Sequence, residues 1–110
     1  MSDRDMEKLV ALVQAGELAL GLWRAEQVAA NARAAYHARI ERFERKHGNG
    51  ERVKLDPRDP KSAAIMEYTR DRYQAALAAR KRAYAAKQKL LKMCVKVARL
   101  SAHASEADHA

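Results

Sequence analysis

The side chains in this sequence that could bind a metal ion or act as nucleophiles are four histidines and one cysteine: His37, His47, His103, His109 and Cys94. Zinc ligands on a helix need to be three or four residues apart, because only those spacings bring two side chains to one face. No two of these five residues have that spacing, and no glycine-rich phosphate loop follows a strand. We therefore expect no metal, no cofactor, no small-molecule substrate and no enzymatic activity. Cys94 lies among apolar residues and is predicted to be a small core side chain.

Positive charge is concentrated in the second half of the sequence. The formal net charge is +8, and the stretch from Arg80 to Arg99 contains eight cations and no acid. At about 100° per residue, six of these cations share one helix face. They are Lys81, Arg82, Lys89, Lys92, Lys96 and Arg99. This pattern is typical of a solvated helix face, and equally of a face that docks on a polyanion or an acidic protein. No aromatic residue interleaves the row, so any nucleic-acid binding is expected to involve the backbone alone.

Capping residues and glycines place the ends of two long helices. Ser2 or Asp3 can cap the first helix, which is expected to end before Gly48, a left-handed cap. Asp59 followed by Pro60 is a typical helix start. We predict one domain over residues 1–110, with a helix at about 4–47, a turn at 48–60, a helix at about 61–103 and a frayed tail at 104–110.

Apolar residues in both predicted helices recur at alternating steps of three and four, the heptad pattern of a left-handed coiled coil. The steps run through Leu18, Leu22, Ala25, Ala29, Ala32, Tyr36, Ile40 and Phe43, and through Ala76, Ala79, Ala83, Ala86, Leu90, Met93, Val97 and Leu100. Because alanine supplies 24 of the 110 residues, the helices are expected to approach closely. The predicted fold is all-α, a long, Ala-rich, antiparallel two-helix hairpin resembling a coiled coil.

Folding such a hairpin about residue 54 predicts which residues face one another. Tyr36 falls near Tyr73, Phe43 near Ile65 and Ile40 near Tyr68, which would form a small aromatic cluster. Two cations of the second helix point toward the first helix instead of solvent. We predict ion pairs across the hairpin that join Arg80 to Glu26 and Lys87 to Glu17.

The open end of the predicted hairpin carries more apolar residues than one partner helix can cover. The predicted apolar interface consists of Met6, Leu9, Val13, Leu20, Trp23, Leu91 and Val95. One interpretation is a kink at Gly16 or Gly21 that would make the first segment a third helix of a small bundle. The other is that two hairpins form a four-helix homodimer, or that the hairpin docks on another protein, because such a patch is unfavourable on a monomer.

These features favour a small adaptor or inhibitor that acts through protein–protein interaction, with the basic helix face aiding docking. A non-specific nucleic-acid-binding protein is the first alternative, and a structural component of a phage or secretion apparatus is the second. The N-terminus lacks the basic start and apolar run of a signal peptide. The apolar stretch from Leu9 to Trp23 is too short to span a membrane. We therefore expect a cytoplasmic protein without membrane contact.

Overall fold

A computed structural model of the chain describes residues 2–47 and 58–108, and the described residues form two long α-helices. Helix α1 spans Asp3–His47 and helix α2 spans Pro60–Asp108, with lengths of 45 and 49 residues. The two helices pack against each other as a helical hairpin, and no strand occurs within the described ranges. The predicted all-α hairpin is therefore confirmed.

Both helices begin where the sequence predicts a cap. The backbone N–H of Asp5 donates to Oγ of Ser2 at 3.2 Å, and the N–H of Met6 donates to the Ser2 carbonyl at 3.0 Å. The Ser2 side chain thus satisfies a backbone donor that has no partner within the helix, while its carbonyl accepts the first bond of the helical series. At α2 the N–H of Ser62 donates to the Asp59 carbonyl at 3.0 Å, and Pro60 is the first helical residue.

Helix α1 continues through Gly16 and Gly21 without a break, so its first segment is not a separate third helix. Helix α2 extends to Asp108, beyond the predicted end at about residue 103. No glycine or proline interrupts that extension, and alanines within it favour the helical backbone. The predicted cap at Gly48 and most of the predicted turn lie outside the described residues.

The chain divides into two compact units, and each contains a segment of both helices. The terminal unit comprises Met1–Ala25 and Arg82–Ala110, and the central unit comprises Glu26–Lys81. Within each unit, every residue of the predicted heptad seams is buried or half-buried. The seam prediction is therefore confirmed in both units.

The best-buried side chains of the central unit lie on the first turns of α2. Ser62 and Ile65 are fully buried and Thr69 is 2% exposed. These residues follow the same steps of three and four as the seam. The hydroxyl of Thr69 donates to the Ile65 carbonyl at 2.8 Å, which satisfies a polar group that burial would otherwise destabilise.

Aromatic side chains of the central unit join α1 to α2, as the predicted register requires. The Tyr36 and Tyr73 ring centroids lie 5.4 Å apart, and those of Phe43 and Tyr68 lie 5.6 Å apart. Tilted rings at these distances pack favourably. The pairing of Tyr36 with Tyr73 agrees with the predicted register, whereas Tyr68, predicted to lie near Ile40, contacts Phe43.

Candidate interaction surfaces

Helix α1 of the terminal unit carries a second apolar stripe, which faces away from α2. Its members are Met6, Leu9, Val13, Gly16, Leu20 and Trp23, again at alternating steps of three and four. We call this set the α1 outer stripe. It lies roughly 170° around the helix from the seam of Ala11, Leu18 and Leu22. Its five side chains are each about half exposed, from 46% for Leu9 to 58% for Trp23.

Helix α2 of the terminal unit has an apolar outer face of its own. Tyr84 is 65% exposed, Val95 50% and Leu91 47%. These three residues lie roughly 150° around α2 from the seam of Ala86, Leu90 and Met93. We call them the α2 outer face. Because α1 and α2 turn their seams toward each other, the seven residues of the predicted interface form two surfaces on opposite sides of this unit.

The predicted basic row is exposed along its whole length. Arg82, Lys89, Lys92, Lys96 and Arg99 belong to the terminal unit, and Lys81 belongs to the central unit. Residues three or four apart on a helix are surface neighbours, so Lys92 and Arg99 lie one turn to either side of Val95. The α2 outer face is thus bordered by cations.

Two ion pairs of the described residues lie within single helices and on the surface. Arg45 pairs with Glu41 at 4.0 Å and Arg70 with Glu67 at 2.6 Å. Exposed pairs of this kind contribute little to stability. The residues of the predicted cross-hairpin pairs, Glu17 with Lys87 and Glu26 with Arg80, are all exposed. None of them belongs to the two ion pairs above, and the cross-hairpin pairing stays a prediction.

In each unit an open groove lies between the two helices. The groove of the central unit has a volume of about 610 Å³ and is lined by Ala29, Ala30, Arg33, Tyr36, His37, Tyr73, Ala76, Leu77 and Arg80. Nε of Arg33 donates to Nε2 of His37 at 3.5 Å, a long and weak bond. The lining contains two arginines and no carboxylate, so the groove suits an anion better than a cation.

The groove of the terminal unit is smaller and has a mixed charge. Its volume is about 380 Å³, and it is lined by Glu17, Leu18, Gly21, Arg82, Ala85, Ala86 and Lys89. Glu17 therefore lies near Arg82 and Lys89. Glu17 is the one carboxylate among the lining residues, and Lys92, Lys96 and Arg99 lie outside this groove.

Comparisons with protein family models, with curated proteins and with solved structures found no match to this chain. The exposed surfaces described above therefore supply the evidence for the function. In the part of the chain that the structure describes, no three metal-binding side chains come together. Neither described helix is long and apolar enough to cross a membrane.

One prediction about a candidate nucleophile was wrong. Cys94 is exposed instead of packed in the core. It follows the seam residue Met93 directly, and one step along a helix turns a side chain by about 100° away from the seam. An apolar neighbourhood in the sequence therefore did not amount to burial.

Sequence reasoning also missed the central-unit groove and the separation of the two outer surfaces. The alanines opposite Tyr36 and Tyr73 allow the helices to approach closely. They also leave open space beside the larger rings. The outer stripe has the same three-and-four spacing as the seam, and that repetition in the sequence was the available signal.

Proposed function

We propose that this protein is a non-enzymatic interaction module, an adaptor or inhibitor that docks on the surface of a protein partner. The observation that carries the proposal is the α2 outer face: Leu91 and Val95, each about half exposed, next to a row of exposed cations. Apolar side chains exposed together on a helix mark an interaction site when no partner helix covers them.

The charge around this face indicates the chemistry of the partner. From Arg82 to Arg99, α2 carries six cations and no acid. Apolar contacts at the centre and charges at the rim are the ordinary arrangement of a protein interface. The expected partner therefore presents an apolar groove with acidic residues along its edge, and opposite charge speeds its encounter with α2.

The proposal is tested by affinity capture from the source cell with three baits. These are the unaltered chain, a Leu91→Asp/Val95→Asp variant and a Leu20→Asp variant, whose change lies on the opposite side of the terminal unit. Each bait is first checked for helix content by circular dichroism. We expect a protein that the unaltered chain and Leu20→Asp both retain and that the α2 variant loses at least tenfold. Equal retention by the α2 variant would contradict the assignment of this face.

A second candidate function, non-specific nucleic-acid binding, is favoured by the exposure of the basic row. Lys92, Lys96 and Arg99 are exposed within three turns of α2, a spacing that suits successive phosphate contacts. This reading requires that a short DNA duplex be retarded in a gel at low salt and released as the salt rises. It also requires that nuclease treatment remove whatever the bait captures. If the bait still retains the same protein after nuclease treatment, the result supports a protein partner instead.

A further inference from the structure

The α1 outer stripe is symmetric about its own centre. A second copy of the stripe can be placed antiparallel to the first, with a twofold axis at the midpoint between Gln14 and Ala15. Each residue of one stripe then faces a residue of the other stripe. Met6 then faces Trp23, Leu9 faces Leu20 and Val13 faces Gly16. No residue of the stripe is left facing a polar position.

We propose that two copies of this chain pair through their α1 outer stripes in this antiparallel register. A twofold interface must be self-complementary, because the same patch serves both subunits. The heptad positions agree with this geometry. Met6, Val13 and Leu20 occupy a positions, and Leu9, Gly16 and Trp23 occupy d positions, so each layer joins an a residue to a d residue. The interface is distinct from the α2 outer face, which remains open in the dimer.

Side-chain size varies along the stripe in a complementary way. The two layers nearest the axis join Val13 to Gly16, so the helices can come close where the side chains are small. The outermost layers join Met6 to Trp23, which are large. Apart from the adjoining residues and backbone of its own helix, no described atom lies within 4 Å of a Cβ added at Gly16, so no contact seen among these residues requires a glycine there. In the proposed dimer, Val13 of the second copy packs against Gly16, and this contact would require a small residue there.

The residues that flank the stripe support the register at three of four positions. Leu12 would lie beside Ala19 of the second copy, which makes an apolar pair. Asp3 would lie beside Arg24 of the second copy, which makes an ion pair. Val10 packs beside the methylenes of Glu17. The fourth flanking pair joins Asp5 to Glu26 of the second copy, two like charges at the solvent-exposed rim.

Oligomeric state and its dependence on the stripe form the first part of the test. Light scattering of the unaltered chain at micromolar concentration is expected to give twice the chain mass of 12.4 kDa. Leu20→Asp should reduce this to one chain mass. Val28→Asp is the matched control, because Val28 is 53% exposed on the same helix but lies off the stripe, whereas Leu20 is 49% exposed. A monomeric unaltered chain, or a dimer that survives Leu20→Asp, overturns the proposal.

Disulfide cross-linking tests the register without relying on disruptive variants. With Cys94→Ala as background, Leu9→Cys chains are mixed with Leu20→Cys chains that carry a mass tag. We expect a disulfide between the two kinds of chain. Leu9→Cys alone should form none, because two copies of residue 9 would lie roughly 16 Å apart along the axis, beyond disulfide reach. Disulfides within the Leu9→Cys sample, or none in the mixture, overturn the antiparallel register.

The like-charged flanking pair offers a gain-of-affinity test. Glu26→Lys converts the Asp5–Glu26 pair into opposite charges, and we expect dimer dissociation to shift to a severalfold lower concentration. Weaker or unchanged association contradicts the register. These outcomes are separate from those of the capture experiment, because Leu91→Asp/Val95→Asp alters the α2 outer face and leaves the α1 outer stripe intact.

Discussion

The guanidinium carbon of Arg39 on α1 lies 4.5 Å from the centroid of the Tyr68 ring on α2. A cation over the face of an aromatic ring is attracted by the ring's negative face. Nε of the same arginine is buried and has no hydrogen-bond partner among the described residues, and the Tyr68 ring lies against the guanidinium. The contact joins the two helices of the central unit on the flank of the aromatic cluster.

This contact predicts that two arginines of one helix differ in their contribution to stability. Arg39→Ala should lower the free energy of unfolding by about 1 kcal/mol, through loss of the cation–ring contact and of the packed side-chain stem. Arg42→Ala, at an exposed position on α1, should change it by less than about 0.5 kcal/mol. Urea denaturation followed by circular dichroism measures both, and equal effects would contradict a specific role for Arg39.

Burial in the central unit predicts a sharp contrast between two neighbours on α2. Ile65 is fully buried, whereas Met66 is 46% exposed. Ile65→Ala should lower the free energy of unfolding by about 2–5 kcal/mol, because it removes buried methyl groups and leaves a cavity. Met66→Ala should stay within about 0.5 kcal/mol of the unaltered chain. If the two variants unfold at the same urea concentration, Ile65 is not the centre of this core.

The environment of Tyr36 predicts a loss of stability at high pH. Burial, and to a lesser degree the charge of Tyr73, raise the pKa of Tyr36 above its ordinary value of 10.0. The folded chain holds the phenol proton of Tyr36 more tightly than the unfolded chain does. The stabilisation of the folded state by this protonated side chain is therefore complete below the unfolded pKa. It is lost as the pH rises through the higher folded pKa.

Tyr36→Phe should therefore make the high-pH decline in melting temperature shallower. Tyr84→Phe, which removes a phenol that is 65% exposed, should leave the decline as it is. Melting temperatures measured at several pH values from neutral to strongly alkaline check both variants. A decline unaffected by Tyr36→Phe would show that another group causes it.

The glycines within α1 predict a simple way to stabilise the helix. A Cβ added at Gly21 meets nothing within 4 Å, and the position lies off the α1 outer stripe. Gly21→Ala should raise the free energy of unfolding by about 1 kcal/mol, the ordinary difference between these residues in a helix interior. The reverse change at an exposed alanine, Ala34→Gly, should lower it by a similar amount. No gain from Gly21→Ala would indicate that this glycine serves a contact outside the chain.

Helix ends and seams were predictable because they depend on short-range chemistry. Ser2 and Asp59 satisfy backbone groups a few residues away, and Pro60 begins α2 because its fixed φ suits a first helical residue. The seam follows from the period of the helix alone. The register between Tyr36 and Tyr73 was also predictable, because both seams are long and a hairpin allows little freedom in their alignment.

The candidate surfaces were only partly predictable from the same patterns. Leu20 and Leu22 are similar in the sequence, yet Leu22 lies in the seam and Leu20 is exposed. All seven residues of the predicted interface are exposed, but the prediction joined Trp23 and Leu91, which lie on opposite sides of the terminal unit. Direction around each helix can be calculated from the sequence, but the side that the partner helix covers is known only once the helices are packed.

The sequence alone therefore determined two helices, their starting residues, the seam between them and the concentration of positive charge on α2, because each depends on residues within a few turns of one another. Only the tertiary structure decided that Cys94 is exposed, that Ser62, Ile65 and Thr69 are the best-buried residues of the central unit, and that Arg39 lies over Tyr68. Burial and ring contacts depend on the distance and rotation between two helices. Those quantities are set jointly by all side chains of the seam, and no single segment of the sequence contains them.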